Sequence, residues 1–450
     1  MLRRVRRACR TPDDPGAALA APLVRPCGLS ADKLLRADFN LGACLMAEMS
    51  VENPDEPRRG SIIVIALTLF LNVAGFTLIL PVLPFLVGRY VPPDLVGLYV
   101  GLIVSVFALC AFVAAPVLGA LSDRFGRRPI LLLSLIGSAI GYVVFGIGGA
   151  LWVLFLGRII DGLTAGNIST IFAYVADTQP PAERGRIFGL LGAVVGFGFM
   201  FGPVAGGFLG ALSPTMPLFV AAAITLLNAL SVYAALPESV PPDRAQEAWQ
   251  WRQMNPLGQL ASVLSYENLR VPFFAAFCFF FAGAMLQSNL SVYLRDVFQF
   301  GPTSIGWTLF GVGVMDIVSQ GLLTRALLPR LGSKTLTRLG LAINAIGFGM
   351  IAGLVFIPTV AFLVASVFVF TLGDGLFQPA MSETIANAAP PDAQGRVQGA
   401  NQAQQSLARM LGPLVPAIMS PMSISAPYWA GGVVALVGMA ALWSRQRQAT

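Results

Sequence analysis

Histidine is absent from all 450 residues of the sequence, and charged side chains make up only 11% of it. An ordinary soluble domain carries about 25% charged residues. Without histidine, the chain cannot perform Ser-His-Asp catalysis, bind a metal through imidazole or relay protons through imidazole. The pattern G-x-x-x-x-G-K-[ST] is also missing, so this chain alone cannot use ATP through a P-loop. We expect no cofactor, no metal site and no enzyme activity.

Residues 1–60 contain little apolar sequence. They begin with MLRRVRRACR, and their longest apolar piece is GAALAAPLV. We do not expect a secretory signal, because the first span can direct insertion itself. The segment is interpreted as a disordered tail, or as sequence upstream of a true start at Met46 or Met49, with a transit peptide as the alternative. Cysteine is also scarce, and no disulfide framework is indicated by Cys9, Cys27, Cys44, Cys110 and Cys278.

Hydrophobic residues are abundant in the remaining sequence. They make up 56% of the chain, and its mean hydropathy is +0.74. A transmembrane helix needs about 20 mostly apolar residues, and such runs recur from Ser61 onward. We predict an all-α membrane protein with twelve transmembrane helices. The predicted spans cover residues 61–85, 95–118, 129–148, 151–175, 186–210, 216–236, 271–296, 302–327, 335–355, 358–387, 396–420 and 426–444.

Basic residues are concentrated in alternate breaks between the spans. One side collects Arg58, Arg59, Arg124, Arg127, Arg128, Arg184, Arg186, Arg244, Arg252, Arg270, Arg325, Arg330, Lys334, Arg338, Arg396, Arg445 and Arg447. The other side holds Arg89 and Arg295. The positive-inside rule therefore predicts a multi-pass protein of the plasma (inner) membrane with both termini cytoplasmic. The net charge of +7 follows from this bias and from the basic tail, so we do not expect nucleic-acid binding.

The chain is predicted to contain two related halves. The longest polar connection, residues 237–270, separates predicted six-helix bundles at 61–236 and 271–450. The segment PPAERGRIFG at Pro180 resembles PPDAQGRVQG at Pro390, and the same offset of 210 residues carries Gly202 onto Gly412. A register held across a loop and most of a helix indicates duplication. Parallel repeats of this kind place a substrate site between the halves.

The loop after the second span carries a recognisable signature, GALSDRFGRRP. It resembles the signature loop of the major facilitator superfamily, which implies the major facilitator fold. Its matching residues are Gly119, Asp123, Arg124, Gly126, Arg127 and Arg128. The resemblance implies that Asp123 latches the two halves in the outward-facing state, against an eleventh span starting near Gly395. The second half has a decayed copy, LPRLGSK, in which Pro329 replaces the aspartate.

A second signature, GFMFGPVAGG, lies in the fifth span. It forms a small-residue ridge with a helix-bending proline, and its residues are Gly198, Gly202, Pro203, Gly206 and Gly207. This segment resembles the motif of proton-driven antiporters. Together with LILPVLP and GRIIDG, the two signatures resemble bacterial tetracycline–proton antiporters.

The sequence departs from those antiporters at their intramembrane acids. The resemblance implies aspartates at the positions of Asn72, Gly141 and Asn344, and all three are missing. The eighth span carries Asp316 where those relatives have histidine. Any proton must therefore be carried elsewhere, and Asp316 is the first candidate because no partner is assigned to it within its own helix.

Charges within the hydrocarbon layer cost at least about 2.5–3.5 kcal/mol each, so they are retained mainly when paired or functional. The candidates for proton coupling are Asp316, Asp161, Arg158, Asp374 and Arg409. Arg158 and Asp161 stand three residues apart and share a helix face. They are interpreted either as a mutually neutralising pair or as part of the proton path, as the arginine is in the family. Asp374 and Arg409 are predicted to form a second pair.

Polar residues on the later spans indicate a watery cavity. Gln398, Gln402, Gln405 and Arg409 recur on one helical face of the eleventh span. We predict that this face lines a cavity with three amides from other spans: Asn72, Gln287 and Asn289. Most phenylalanines of FFAAFCFFF in the seventh span are expected to contact lipid. A cavity surface that is partly aromatic and partly lined by amides suits small amphipathic organic molecules.

These features predict a proton-coupled exporter of small amphipathic compounds or drugs that works by alternating access, as a monomer in the lipid bilayer. Its predicted partners are the small-molecule substrate and protons. Two alternatives stay open: a facilitator or symporter that imports a metabolite, and a non-transporting receptor or membrane scaffold.

Overall fold

The computed structural model describes residues 59–239, 256–390 and 393–447, whose regular elements are helices. Most of the predicted tail and residues 240–255 of the predicted linker lie outside the described residues. The first half contains the helices Arg59–Thr77, Leu83–Val87, Val96–Phe125, Arg127–Ile147, Leu151–Leu163, Asn167–Thr178, Pro181–Leu212 and Met216–Ala235. After a linker helix, Pro256–Leu264, the second half contains Glu267–Phe298, Pro302–Val318, Arg325–Leu331, Ser333–Gly353, Val360–Ala388, Gln394–Leu411, Leu414–Met419 and Ala426–Arg447.

These helices make the predicted spans, and the prediction of an all-α membrane protein is confirmed. In the described part of the chain, ten helical stretches are long and apolar enough to cross a membrane. The first span adds a shorter apolar helix, Ile62–Thr77. The eleventh span consists of Gln394–Leu411 and Leu414–Met419. Its row of glutamines lowers its mean hydropathy, so length and hydropathy alone do not identify it as a membrane span.

The fourth span is broken, although the sequence predicts one continuous helix from 151 to 175. It consists of Leu151–Leu163 and Asn167–Thr178. The Thr164 hydroxyl donates to the carbonyl oxygen of Ile160 at 2.9 Å and to that of Asp161 at 3.2 Å. The Thr371 hydroxyl makes the same two kinds of bond within the continuous tenth span, so these bonds alone do not end a helix. The helical ladder ends in the backbone, where the Gly166 N–H bonds to the Thr164 carbonyl at 2.8 Å.

The break accounts for a difference between the two repeats. Asp161-Gly162-Leu163 in the fourth span matches Asp374-Gly375-Leu376 in the tenth with an offset of 213 residues, whereas the loops that follow match with an offset of 210. The first repeat therefore has three more residues in this interval, equal in number to residues 164–166 between its two helices. The tenth span, Val360–Ala388, is continuous.

A π-helical segment, Ser319–Thr324, interrupts the eighth span. Its Thr324 hydroxyl donates to the Ser319 carbonyl at 3.1 Å and to the Gly375 carbonyl of the tenth span at 2.8 Å. Such π-bulges occur frequently at functional sites. This one lies directly after Asp316 and joins the eighth span to the tenth.

The spans pack as two six-helix bundles. In the first, span 1 contacts spans 5 and 6, and span 4 contacts spans 2 and 3; in the second, span 9 contacts spans 10 and 12, and span 7 contacts span 12. The bundles meet mainly where span 5 contacts span 8 and where span 2 contacts span 11. The limits of the two bundles as domains stay predictions.

The closest contacts between the bundles lie toward one end, and spans 5 and 8 stay in contact as far as Gly196 and Ile317. We call the end with the loop Phe125–Arg128 the basic end. At the opposite end, a Cβ on Gly101 of span 2 would lie 2.6 Å from the Pro413 carbonyl oxygen of span 11, and one on Gly207 of span 5 would lie 2.6 Å from the Pro302 carbonyl oxygen of span 8. Toward the basic end, the same face of span 5 continues through Gly192, where no described atom of a neighbouring element lies within 4 Å of such a Cβ. The interface between the bundles is therefore open toward the basic end.

Candidate functional site

Arg158 and Asp161 form an ion pair inside the first bundle. Arg158 Nη1 lies 3.2 Å from Asp161 Oδ2, and the two residues are only 2% and 3% exposed. Three phenylalanine rings surround the guanidinium, with centroids 5.1 to 5.9 Å from its central carbon: Phe76, Phe107 and Phe145. Cation–π contacts of this kind are worth about 2 kcal/mol or more when desolvated. The pair predicted from its spacing is therefore present, and it is sealed from water in this conformation.

The third span has no room for an acid at the position of Gly141. A Cβ on Gly141 would lie 2.9 Å from both the backbone nitrogen and the Cβ of Asp161. The close approach of spans 3 and 4 thus requires glycine here. Ser138, one turn away on span 3, lies next to the Asp161 carboxylate. In this chain, the acid at this helix crossing lies on span 4.

Asp316 and Asp374 are brought together by spans 8 and 10 of the second bundle. The Gln320 amide donates to Asp316 at 2.9 Å, and the Gln378 amide donates to Asp374 at 3.1 Å, four residues along the chain in each case. The expectation that Asp316 has no partner within its own span is therefore wrong. Both carboxylates are half-buried, and the nearby residues Gly375 of span 10 and Ser319 of span 8 pack against each other.

Arg409 is not paired with Asp374 in this conformation. In the described ranges, no carboxylate oxygen lies within 4 Å of the Arg409 guanidinium. Arg409 is exposed. Gln398 and Gln402 on the same face are also exposed, and Gln405 is half-buried. The structure thus gives span 11 one accessible face with three amides and an arginine. On another face of the span, the Gln404 amide donates to Asn401 at 2.8 Å, and both are buried.

The other amides predicted from the sequence differ in their exposure. Gln287 on span 7 is exposed, but Asn289 is buried and donates to the Tyr428 hydroxyl at 3.3 Å. Asn72 is half-buried. Asn344 is buried, and its amide donates to the Phe370 carbonyl at 3.5 Å. Gln287 is thus accessible, whereas Asn289 lies inside the packing of the second bundle.

The glycine-rich signature of span 5 contacts two spans at once. Gly198, Gly202 and Gly206 pack against span 1, where the Thr77 hydroxyl donates to the Gly198 carbonyl at 3.1 Å. The other face meets span 8: a Cβ on Gly306 would lie 2.5 Å from the Pro203 carbonyl oxygen, and the Thr303 hydroxyl donates to the Gly207 carbonyl at 3.3 Å. The segment therefore joins the two bundles through backbone contacts.

The signature loop is built around Arg127. Its guanidinium lies 2.6 Å from Asp123 and 2.9 Å from Asp177, and it donates to the Ser122 hydroxyl at 2.7 Å. The Glu238 carboxylate accepts the backbone N–H groups of Arg127 at 2.8 Å and Arg128 at 3.1 Å, at the N-terminus of span 3. An anion at this position is favoured by the helix dipole and the free N–H groups.

Other residues of the loop differ in exposure. The Asp123 side chain is 65% exposed. Arg124 is also exposed, and its guanidinium lies 5.5 Å from the Phe125 ring centroid. Gly126 has φ 102°, and a Cβ there would meet Glu238. Gly119 has no described neighbour within 4 Å of such a Cβ, which agrees with the open basic end. Glu238 was missed as a partner because nothing local links an acid after span 6 to the start of span 3.

Two six-helix bundles with charged residues inside them, open toward one end of their interface, define a membrane transporter of the alternating-access type. The chain belongs to the Major Facilitator Superfamily, whose family model matches residues 65–413 and 272–450. The recognition drawn from the signature loop is thereby confirmed.

Individual relatives agree with this family assignment. The chain is 32% identical over 380 residues to the tetracycline resistance protein, class C, of Escherichia coli, covering 84% of this chain and 94% of the relative. It is 29% identical over 385 residues to multidrug resistance protein 2 of Bacillus subtilis (strain 168), covering 84% and 93%. The crystal structure of the human organic anion transporter MFSD10 (TETRAN) superposes with a TM-score of 0.65 at 25% identity, covering 86% of this chain and 99% of that one.

Proposed function

We propose that the protein is a proton-coupled exporter of small amphipathic organic compounds, a multi-pass protein of the plasma (inner) membrane with its basic end and both termini in the cytoplasm. In this orientation, the interface between the bundles is open to the cytoplasm, which is the state in which an exporter loads its substrate. The protein acts as a monomer and is not an enzyme.

The Asp316–Asp374 pair is the observation that carries this proposal. The two carboxylates lie on the packed spans 8 and 10, each bonded to a glutamine of its own span and neither within 4 Å of a described cation. Such a pair holds one proton readily and releases it when a cation or a more polar surrounding reaches it. The π-helical segment after Asp316 contacts Gly375 of span 10. We propose that the backbone conformation of span 8 changes at this segment as the bundles move.

The accessible face of span 11 is proposed to contact the substrate. Gln398 and Gln402 supply hydrogen-bond donors and acceptors, and Arg409 supplies a positive charge without a carboxylate partner. We therefore favour substrates that carry a negative or zwitterionic group on an apolar body. The names of the relatives, which include tetracycline resistance, multidrug resistance and organic anion transport, support this range of compounds.

Proton movement in proteoliposomes tests the proposal. Vesicles with an imposed pH gradient receive a panel of amphipathic drugs and metabolites, and compound-dependent proton flux is recorded with a pH-sensitive dye. We expect flux for the wild type and none for Asp316→Asn, which keeps the shape of the side chain and its bond from Gln320. Asp94→Asn is the matched control, because Asp94 is exposed at the opposite end.

Other outcomes identify the alternatives. Transport without proton movement would show a facilitator, and proton flux in the same direction as the compound would show a symporter. Binding without any flux would show a receptor. Coupled efflux that persists in Asp316→Asn would leave the exporter but remove Asp316 as the carrier.

A further inference from the structure

A row of buried polar groups runs between spans 3 and 4, away from the Arg158–Asp161 pair and toward the basic end. The pair itself is almost completely buried, so water in the open interface between the bundles does not reach it in this conformation. Asp161 is a proton-coupling candidate from the sequence, in addition to the Asp316–Asp374 pair of the proposed function. For Asp161 to exchange protons with the cytoplasm, the protons need another route.

The register of spans 3 and 4 is fixed by three contacts. Gly141 packs on Asp161, Gly137 packs on Thr164, and Arg127 is paired with Asp177. The two spans are therefore antiparallel along their whole length. Between the second and third contacts, this register places Ser134 of span 3 opposite residues 167–170 of span 4.

Three side-chain oxygens in this interval are buried and unpaired. They are Ser134 Oγ, Asn167 Oδ1 and Thr170 Oγ1, and each has no hydrogen-bond partner among the described residues. Ser134 and Thr170 are 0% exposed and Asn167 is 4% exposed. A buried polar atom without a protein partner costs about 1–3 kcal/mol unless water satisfies it.

The same faces carry polar groups at both ends. On span 3, Ser138 next to Asp161 is one turn from Ser134. On span 4, Asn167, Thr170, Tyr174 and Asp177 follow at spacings of three, four and three, which is one helical face. This face ends at Asp177, which is joined through Arg127 to the exposed Asp123.

We propose that Ser138, Ser134, Asn167 and Thr170, here called the polar seam, hold bound water and conduct protons between Asp161 and the Asp177–Arg127–Asp123 group at the basic end. This inference rests on the proposed function. The hydroxyls and waters each accept one proton and release another, so that the seam returns to its starting state, while the Asn167 carbonyl oxygen accepts and orients a water. The break at residues 164–166 lies beside this route. Protons and substrate thus use separate openings to the cytoplasm.

Isosteric substitutions test the conduction. Thr170→Val and Ser134→Ala, singly and together, remove seam hydroxyls. Thr371→Val and Ser366→Ala make the same changes at equally buried residues of span 10, whose hydroxyls donate to the carbonyls of Val367 and Phe362. The readout is the ratio of two rates. The first is compound-driven proton flux, and the second is substrate exchange across the membrane, measured without a pH gradient. We expect this ratio to fall about a hundredfold in the double seam variant, the smaller end of the range for positioned proton transfer, and to stay unchanged in the control.

A second measurement detects the water without transport. X-ray hydroxyl-radical footprinting of the full chain in liposomes labels side chains that lie next to water. Ile171 and Tyr174 beside the seam are nearly completely buried, as are Ile351 and Phe348 in an apolar cluster of the second bundle. We expect labelling of the first two to be at least about threefold higher, because buried water is found where polar groups lack partners.

The outcomes separate this inference from the proposed function. Proton flux in the wild type with an unchanged ratio in the double seam variant would overturn the seam alone. Equal labelling at the two pairs of residues would do the same. Absence of compound-driven proton flux in the wild type would overturn the proposed function and the conduction together, and labelled seam residues would then mark structural water.

Discussion

Removing one charge of the Arg158–Asp161 pair should cost far more than removing both. Both residues are almost fully buried, and their atoms are 3.2 Å apart. A single change, Arg158→Gln or Asp161→Asn, leaves one buried group without its counterion, which costs about 3–5 kcal/mol. The double variant, Arg158→Gln with Asp161→Asn, leaves two amides that can bond to each other and carries no buried charge.

The two single variants should differ in stability. Asp161→Asn leaves a guanidinium that stays charged but is still held by three rings at 5.1 to 5.9 Å. Arg158→Gln loses those cation–π contacts as well as the ion pair. If each bundle melts as a unit of about 150–250 residues, 3–5 kcal/mol corresponds to a fall of roughly 6–20 °C in the melting temperature. The double variant should recover most of this loss.

The assay is thermal unfolding of the purified protein in detergent, followed by a thiol-reactive dye. Arg295→Gln and Asp296→Asn form the control cycle, because that pair is 2.6 Å apart but partly exposed and should contribute about 0–1 kcal/mol. A double variant no more stable than the weaker single variant would refute the reasoning. If the recovered double variant also restores proton flux, the pair is structural; if it is stable but uncoupled, the pair belongs to the proton path.

Three further predictions concern other contacts. Glu238→Ala should lower stability by about 1–2 kcal/mol, because it removes the acceptor of two N–H groups at the start of span 3; thermal unfolding against exposed Glu383→Ala measures this. Gly207→Leu should separate spans 5 and 8 and raise the labelling of a cysteine introduced at the opposite end. Gly192→Leu should not raise this labelling, because Gly192 has no close described neighbour. Equal labelling in the two variants would contradict the contact. Asn344→Asp should reduce folded yield, because a carboxylate would face the Phe370 carbonyl oxygen in a buried site; size-exclusion chromatography against Asn72→Asp shows the difference.

Local patterns predicted most of the fold. Long apolar runs located the spans, and the three-residue spacing of Arg158 and Asp161 was sufficient to predict a shared face. The loop glycines and arginines identified the family because their order is specific. The eleventh span was placed with the other apolar runs, although its helix Gln394–Leu411 has a low hydropathy, and the spacing of its polar residues predicted one cavity-lining face.

The remaining features depend on contacts between distant residues. Asp316 and Asp374 are neighbours only because spans 8 and 10 pack together, and no local pattern contains that information. Glu238 meets the start of span 3 across 111 residues of chain. The break in span 4 is a change of backbone hydrogen bonds at residues 164–166 that the apolar pattern of the span does not predict. The missing acid at Gly141 is explained by the contact of this glycine with Asp161, which lies 20 residues further along the chain.

The three extra residues in the first repeat imply a division of labour between two halves that began as copies. A transporter built from identical copies could exchange the roles of its halves in each cycle, but a chain with an interrupted helix on one side only cannot. One copy keeps its charges enclosed among aromatic rings, and the other presents its acids at a flexible turn of helix. We therefore expect that exchanging the fourth and tenth spans between the two halves abolishes transport.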